Sequence, residues 1–332
     1  MKTNQSNVCP NGLKQRSPIR GLALSVTLLG IFVSGLLADD FGSGGDAFII
    51  DFVNVDNAGN ANDVATGLGG VGYEYRISTY EITANVIDKS VNLGLSNVVR
   101  SAHTNGNQPV VYINWYEAAA FVNWMNTSEG YQAAYDLSYS GSWSISAWGA
   151  SDQASTGVDS GTNAFRHKDA VYFIPSEDEW YKAAFHQNNG VTSDYFLYAT
   201  GSDTLPDGVD FVGDTDYDAV FKESGNTPGA FDVTISGVSS PYGTFGQNGN
   251  VWEWNERANG GTITGDVRGA AYGESASEMV SSYSAADFGA TSENHVVGFR
   301  VASVAVIPEP SSLALMAVVG LASLTILRRR KS

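Results

Sequence analysis

The chain has 332 residues, with 35 acidic and 18 basic side chains and a formal net charge of −17. Its two ends hold eight of the basic residues and one acidic residue, so Asp39 to Pro308 carry a net charge of −24. Such a surface repels nucleic acid and anionic membranes and attracts divalent cations. We therefore expect no nucleic-acid partner; the plainer alternative is that the charge only keeps the protein soluble.

Residues 1–38 are predicted to be a signal peptide. A basic segment ending at Arg20 precedes the apolar run Leu22 to Leu37, and Ala38 and Asp39 follow. This order is typical of a secretory leader. The one cysteine, Cys9, lies inside it. Removal of the leader leaves no cysteine, which excludes disulfides, thiolate nucleophiles and cysteine metal ligands.

Residues 39–70 form a Gly/Asn/Asp-rich segment that leads into the domain. The alternation from Phe48 to Val53 predicts a strand within it. The next strand is predicted half-buried, because apolar residues recur there at every second position. These residues are Val71, Tyr73, Tyr75 and Ile77.

Two helices are predicted to begin at capping boxes, after Asn114 and after Ser176. A short strand, Val171 to Ile174, ends at the proline before the second helix. Between the helices, Leu137 to His167 is rich in Ser and Gly and is predicted irregular. Tyr195 to Val238 is a long connection, which in a compact domain is usually functional or pinned by a metal.

The segment Phe245 to Trp254 carries two tryptophans around one glutamate, directly after a Gly/Asn turn. On a strand, Trp252 and Trp254 share one face and Glu253 lies on the other. The turn supplies carbonyl and amide oxygens near Glu253, and calcium prefers such hard ligands. The alternative is that Glu253 pairs with an arginine, either Arg257 or Arg300.

The C-terminal segment, residues 307–332, has three parts in order. These are Pro308-Glu309-Pro310, an apolar run from Leu313 to Leu327, and a cluster of four basic residues. An apolar helix of that length covers about 22 Å, short of a hydrocarbon core of about 30 Å. The order resembles the PEP-CTERM sorting signal, which implies an exosortase and the secretion machinery as partners, a transient inner-membrane anchor, and export to the bacterial envelope, surface or extracellular matrix. The alternative is an ordinary tail anchor.

Five further segments appear in a fixed order around the Trp252-Glu253-Trp254 motif. They are Tyr80 to Thr83, Pro109 to Ala118, Ile174 to Trp180, Arg268 to Tyr272, and Gly298 to Val301. Together they resemble the formylglycine-generating-enzyme (sulfatase-modifying factor) domain, and we place that domain at residues 71–303. The resemblance implies a C-type-lectin-like α+β fold, irregular, with two helices and small twisted sheets.

The family's oxidase uses two copper-binding cysteines between the blocks that match Tyr272 and Gly298. This chain has no cysteine there, and serine cannot replace a thiolate as a ligand for Cu(I). We therefore expect no copper and no formylglycine-generating activity. The histidines are scattered along the chain, with none paired at helical spacing, so no iron-binding triad is predicted. They are His103, His167, His186 and His295.

The resemblance also implies a structural calcium ion. Carried over by position, its ligands are the side chains of Asn248 and Glu253 and the carbonyls of Gly249 and Val251.

Three functions stay open: a calcium-stabilised binding or structural module, an enzyme of other chemistry in the family's cleft, or a ligand-display protein. The absent cysteines favour the first and third, whereas a buried carboxylate with a raised pKa inside a cleft would favour the enzyme. The ligand would be an extracellular polysaccharide or a protein. We call the surface that would bind it, between the blocks of Tyr272 and Gly298, the display surface. Its residues are Tyr272, Glu274, Ser275, Ser277, Glu278, Tyr283 and Asp287.

Overall fold

A computed structural model describes residues 38–155, 161–206, 219–222, 229–259, 262–263, 265–285 and 288–305. Contacts divide the chain into Met1–Gly35 and Leu36–Ser332, and every element below belongs to the second unit. The predicted leader up to residue 37, the sorting segment and Asp287 lie outside the described residues. Among the described residues, no helix combines the length and the apolar character needed to cross a membrane.

The largest sheet has five antiparallel strands. They are β1 (Ala38–Phe41), β2 (Phe48–Val55), β3 (Tyr75–Ser78), β8 (Tyr172–Phe173) and β14 (Ala302–Val304). Their order is β1-β2-β3-β14-β8. The strand predicted from Phe48 is confirmed. The strand predicted from Val71 begins only at Tyr75, because the backbone of Val71 bonds to the 57–60 turn instead.

Alternation along β2 explains its position in the sheet. Phe48, Ile50 and Phe52 are buried, while Ile49 and Asp51 are exposed. The buried rings meet other aromatic residues: Phe48 stacks on Phe41 at a centroid distance of 5.4 Å. This one-sided burial is what an antiparallel sheet with one solvated face requires.

Three helices occur among the described residues: α1 (Ala84–Asn92), α2 (Trp115–Ser128) and α3 (Glu177–Phe185). Both predicted capping boxes are confirmed, at Asn114 and at Ser176. Two helices were predicted and three are present among the described residues, because the prediction missed α1. The signal for α1 was present in Thr83, whose side chain accepts a hydrogen bond from the N–H of Val86 and caps the helix.

The prediction that Leu137 to His167 is irregular was wrong. The segment forms two hairpins, although residues 156–160 are not described. Leu137 and Ile145 lie opposite each other and pack on the core, while serines fill the other face. This alternation is a strand signal that the high serine content masks. The hairpins consist of β4 (Asp136–Tyr139) with β5 (Trp143–Ser146), and β6 (Gln153–Ser155) with β7 (Thr162–His167).

The motif strand, β9 (Trp252–Trp254), is the centre of a three-stranded sheet. It pairs antiparallel with β12 (Val267–Arg268) and parallel with β13 (Val297–Gly298). Both of its faces are buried, with Glu253 and Trp254 at 0% exposure. A small hairpin, β10 (Ala258–Asn259) and β11 (Thr262–Ile263), follows β9. The two tryptophans lie in the core as predicted, but the carboxylate is buried as well.

Asn126 joins α2 to the large sheet. Its Nδ2 donates to the carbonyl of Tyr172 at 2.8 Å, and its Oδ1 accepts from the N–H groups of Val171 and Tyr172 at 3.0 Å each. All of these groups are buried, so water cannot replace the amide.

We predict that Asn126→Ala lowers the free energy of unfolding by about 2 to 3 kcal/mol, because it leaves buried backbone groups unpaired. The control is Asn92→Ala on exposed α1, which removes one surface hydrogen bond to Asp46 and should change stability by at most about 0.5 kcal/mol. Urea unfolding of both variants measures the difference. Equal effects would contradict the role given to Asn126.

Candidate functional site

Glu253 is held by Arg300. The Nε of Arg300 donates to Oε2 of Glu253 at 2.5 Å, and Nη2 donates to Oε1 at 2.7 Å. Both side chains are fully buried. The indole N–H of Trp180 also donates to Oε2, at 2.7 Å. Of the two arginines considered from the sequence, the structure selects Arg300; Arg257 pairs with Asp266 and Glu177 instead.

The guanidinium of Arg300 reaches beyond Glu253. Its Nη1 donates to the carbonyl of Ser78 at 2.9 Å, and its Nη2 donates to the carbonyl of Phe245 at 2.7 Å. One side chain therefore ties the end of β3, the turn before β9 and β9 itself together. A bidentate charged pair with these added bonds is the favourable geometry for a buried ion pair.

These contacts bear on the calcium ion that the resemblance implies. Both oxygens of Glu253 already accept from cationic or N–H donors, and Oδ1 of Asn248 accepts from the N–H of Ala199 at 2.5 Å. In this arrangement a calcium ion would face the guanidinium of Arg300, so the two side chains do not fit the ion. Calcium binding at Asn248, Gly249, Val251 and Glu253 stays only what the resemblance implies, while the contacts favour the ion pair.

The display surface lies on a short 3₁₀ turn, Ala276–Glu278. The N–H of Ser275 donates to Oε2 of Glu278 at 3.1 Å, and the hydroxyls of Ser275 and Ser277 lie 2.7 Å apart. Tyr283 packs on Trp252 at a ring-centroid distance of 5.8 Å. The structure thus brings together the residues from Ser275 to Tyr283 over β9.

Glu274 faces Glu278 on this surface. Partial burial raises the pKa of the Glu274 carboxyl, and the hydrogen bond and negative charge of Glu278 raise it further. A hydrogen bond from Trp252 and the charge of Lys222 oppose that rise. The pair offers hydrogen-bond acceptors at a partly exposed site, which suits a polar ligand.

A cluster of four rings adjoins the display surface, and the sequence did not predict it. His103 and His295 lie 5.8 Å apart between ring centroids, and Tyr112 lies 5.4 Å from His103 and 6.2 Å from His295. Tyr272 of the display surface is 6.5 Å from His295. We call these four residues the His–Tyr cluster. The histidines that seemed scattered along the sequence are in part paired by the fold.

Glu81 is a buried carboxylate. Such a group would favour an enzyme if its pKa were raised inside a cleft. Its Oε1 accepts from Nδ2 of Asn250 at 2.8 Å, and its Oε2 has no hydrogen-bond partner among the described residues. Burial raises the pKa of Glu81 to about 7, and the charge of Glu253 adds to the rise while Arg300 opposes it.

Glu81 belongs to the wall of a cleft of about 680 Å³. Apolar side chains of β1, β2 and α1, including Phe48, Ile50 and Val86, line it together with Lys89. The carboxylate itself is covered: a Cβ atom at Gly246 would lie 2.4 Å from Oε1 of Glu81. Glycine at position 246 is therefore required for the turn to close over Glu81.

Two family models match this chain. The model of the sulfatase-modifying factor enzyme 1-like domain, named FGE-sulfatase, matches residues 47–305. The chain belongs to the FGE-sulfatase family. A second model, the PEP-CTERM protein-sorting motif, matches residues 306–331. That motif implies recognition by the exosortase sorting machinery and export to the cell envelope or surface.

Solved structures agree on the fold. Treponema denticola variable protein 1 is 18% identical, with a TM-score of 0.53, over 81% of this chain and 99% of the other. CarF is 19% identical, with a TM-score of 0.52, over 77% of this chain and 99% of its own. PvdO from Pseudomonas aeruginosa is 14% identical, with a TM-score of 0.49, over 80% and 98%. The search of curated proteins found no match. The family match and the first two of these structures show the FGE-like α+β fold expected from the sequence.

The FGE-sulfatase blocks of this chain meet in the interior. Arg300 belongs to the last block, Glu253 to the motif strand, and Trp180 to the block that opens α3. Glu81, from the first block, contacts Asn250 in the turn before β9. The buried members of these segments thus build the core, while the partly exposed Tyr112 and Tyr272 of two of the blocks belong to the His–Tyr cluster.

We predict that Glu253→Gln lowers stability by about 3 to 5 kcal/mol, because it leaves the Arg300 charge buried without its partner. Asp88→Asn is the matched control: Asp88 pairs with Arg100 at 2.5 Å and is half exposed, so its loss should cost at most about 1 kcal/mol. Thermal unfolding is measured for each variant in calcium and in chelator. We expect the wild type to melt equally in both.

A calcium-dependent melt of the wild type that disappears in Glu253→Gln would contradict the ion pair and establish the metal site. At a calcium concentration a hundredfold above the Kd, binding to the native state alone would add about 2.7 kcal/mol. The experiment can therefore detect even moderate binding.

We predict that Glu81→Gln stabilises the protein at neutral and higher pH. The folded pKa of about 7 exceeds the ordinary value of 4.5. The unfolded chain therefore loses its proton first, and wild-type stability falls as the pH rises from 4.5 to 7. The accumulated loss is about 3 kcal/mol. Urea unfolding between pH 4.5 and pH 8 should show this fall in the wild type and in the exposed control Glu129→Gln, and a flatter profile in Glu81→Gln. Parallel profiles would contradict the assignment.

Proposed function

We propose that this protein is an exported FGE-sulfatase-like domain that binds a ligand at its display surface and does not act as a formylglycine-generating oxidase. The observation that carries the proposal is that the loop with Glu274, Glu278 and Tyr283 packs against the buried strand β9. Tyr283 packs on Trp252, and Trp252 is 2% exposed. A binding site on a rigid element is preorganised, so less entropy is lost when the ligand binds.

The absence of thiols supports a binding role. Cys9 is the one cysteine of the chain and lies in the predicted leader. The segment from Tyr272 to Gly298 has serine, glutamate and methionine where the family's oxidase has its copper ligands. Without a thiolate this segment has no soft ligand for Cu(I). The loss of the catalytic cysteines leaves the same surface available for recognition.

The topology of the large sheet supports display away from the membrane. Ala38 of β1 lies opposite Asp51, and Val304 of β14 lies opposite Tyr75, which pairs with Val55. The chain therefore enters and leaves the sheet at the same end, toward the C-terminus of β2. The leader and the sorting segment are both attached at this end.

The display surface comes before β13 and β14 in the chain, so these two strands connect it to that end of the sheet. Residues between β13 and β14 run extended beside the segment after β3, with the carbonyls of Phe299 and Val301 accepting from Ile82 and Ser78. The seven residues from Gly298 to Val304 would span roughly 23 Å if fully extended. A domain anchored through its tail would carry the display surface at some distance from the membrane, where an extracellular polysaccharide or a surface protein can reach it.

An enzyme of other chemistry is the second candidate, and Glu81 favours it. A buried carboxylate with a raised pKa beside a cleft is a common feature of active sites. Glu81 contacts Asn250, however, and Gly246 covers it. A general base must come within about 3 Å of the proton it removes, whereas Glu81 is only 2% exposed beneath Gly246. The binding role is therefore the better supported function. It does not depend on calcium stabilisation, against which the Arg300 contacts argue.

The test measures binding of the leader-free protein to extracellular polysaccharide and to cell-surface proteins, in calcium and in chelator. We expect Tyr283→Ala, and Glu274→Gln combined with Glu278→Gln, to weaken retention at least tenfold. The control is Tyr139→Ala, which removes an exposed ring of similar accessibility from the β4–β5 hairpin. No retention of the wild type, or equal losses in the control, would contradict the proposal.

A further inference from the structure

We propose that His103 and His295 form a binding site for one late transition-metal ion, such as Zn²⁺, Ni²⁺ or Cu²⁺. The two residues are far apart in the sequence and lie in different loops, yet their rings are 5.8 Å apart between centroids. Both are exposed. The proposal concerns a site separate from the motif at Glu253 and does not rest on ligand binding at the display surface.

The separation of the rings fits a shared ion. Zinc–imidazole bonds are about 2.0 to 2.1 Å long, and the ring centroid lies about 1 Å beyond the bonding nitrogen. Two imidazoles on one ion therefore have centroids roughly 5 to 6 Å apart at the angles such ions adopt. The 5.8 Å separation of His103 and His295 falls in this range. Neutral imidazole is also the commonest protein ligand for this class of metals.

The surrounding structure holds the loop of His295 in place. The backbone N–H of Tyr112 donates to the carbonyl of Asn294 at 2.9 Å, and Oδ1 of Asn294 accepts from the N–H of Val296 at 3.2 Å. The loop that carries His295 is thereby fixed on both sides. Tyr112 itself has a φ of +55°, a backbone strain that bulky residues rarely carry and that is concentrated at functional sites.

Electrostatics favours a cation at this position. The exported segment carries a net charge of −24, and the carboxylate of Glu293 lies two residues before His295. The summed field of such a surface concentrates divalent cations near it. Within the described residues, neither imidazole of the pair has a hydrogen-bond partner that would compete with a metal.

The other two histidines are engaged by protein groups. His186 is buried, and its Nδ1 lies 2.8 Å from the hydroxyl of Tyr242. His167 packs edge-on against Trp148 at 4.7 Å and lies 3.8 Å from the carboxylate of Asp169. No group of three or more His, Cys, Asp or Glu side chains converges on a metal position among the described residues. The pair therefore offers two protein ligands and leaves the remaining coordination positions to water or to an external ligand.

The test titrates the leader-free protein with Zn²⁺ alone by isothermal calorimetry, and with Cu²⁺ alone by electron paramagnetic resonance. The wild type should bind one Zn²⁺ and show two nitrogen ligands on Cu²⁺. His103→Ala and His295→Ala should each weaken Zn²⁺ binding at least tenfold and reduce the nitrogen count to one. The matched control is His167→Ala, which should bind as the wild type does.

Two results would overturn the proposal: wild-type affinity in both pair variants, or an equal loss in His167→Ala. Circular dichroism and a thermal melt accompany each variant. Because both histidines of the pair are exposed, their replacement should leave the melting temperature within a few degrees of the wild type. A His103→Gln variant keeps a polar side chain of similar length and should show the same loss of metal as His103→Ala.

Discussion

The buried pair of Arg300 and Glu253 is the interaction on which the rest of this domain depends. Arg300 also donates to the carbonyls of Ser78 and Phe245, so one guanidinium satisfies groups from three distant segments. A chain with many loops and short strands has few regular hydrogen-bond ladders to hold it. Here charged and amide side chains supply many of those bonds from the interior, where an unpaired polar atom such as Oε2 of Glu81 is costly.

A second buried arginine works in the same way. Arg166 donates to Glu179 at 2.7 Å and also pairs with Glu256, so it connects β7, α3 and the segment after β9. Its guanidinium lies 3.8 Å from the ring centroid of Phe173. Arg166 binds Glu179 of α3 directly, and Arg300 reaches the helix through Glu253 and Trp180, so this helix of nine residues is held at two points.

This construction separates the fold from the family's chemistry. The blocks that identify the FGE-sulfatase family supply Glu81, Trp180, Glu253 and Arg300, all of them buried. The segment between Tyr272 and Gly298 supplies none of these four side chains, although Val297 at its end pairs with Trp252 in the β9 sheet. Its exposed side chains, Ser277 and Tyr283 among them, can therefore change without breaking those contacts. A fold of this kind can keep its architecture while its exposed surface acquires a different ligand.

The sequence by itself determined the elements whose signals are local. Capping boxes at Asn114 and Ser176 identified two helices, and alternation from Phe48 identified a strand, because short-range hydrogen bonds and burial periodicity govern both. Ordered motifs determined the family and the sorting signal. Helix α1 and the two hairpins between Asp136 and His167 were missed, since a threonine cap and serine-rich alternation are weak local signals.

Only the tertiary structure decided which groups meet. The choice of Arg300 over Arg257 as the partner of Glu253, the burial of Glu81 beneath Gly246, and the contact between His103 and His295 all join residues from distant parts of the chain. Sequence spacing carries no information about such contacts, because they depend on how loops of irregular conformation pack on a common core. The order of motifs along the sequence determined the architecture of this protein. The packing of its loops decided which side chains contact each other.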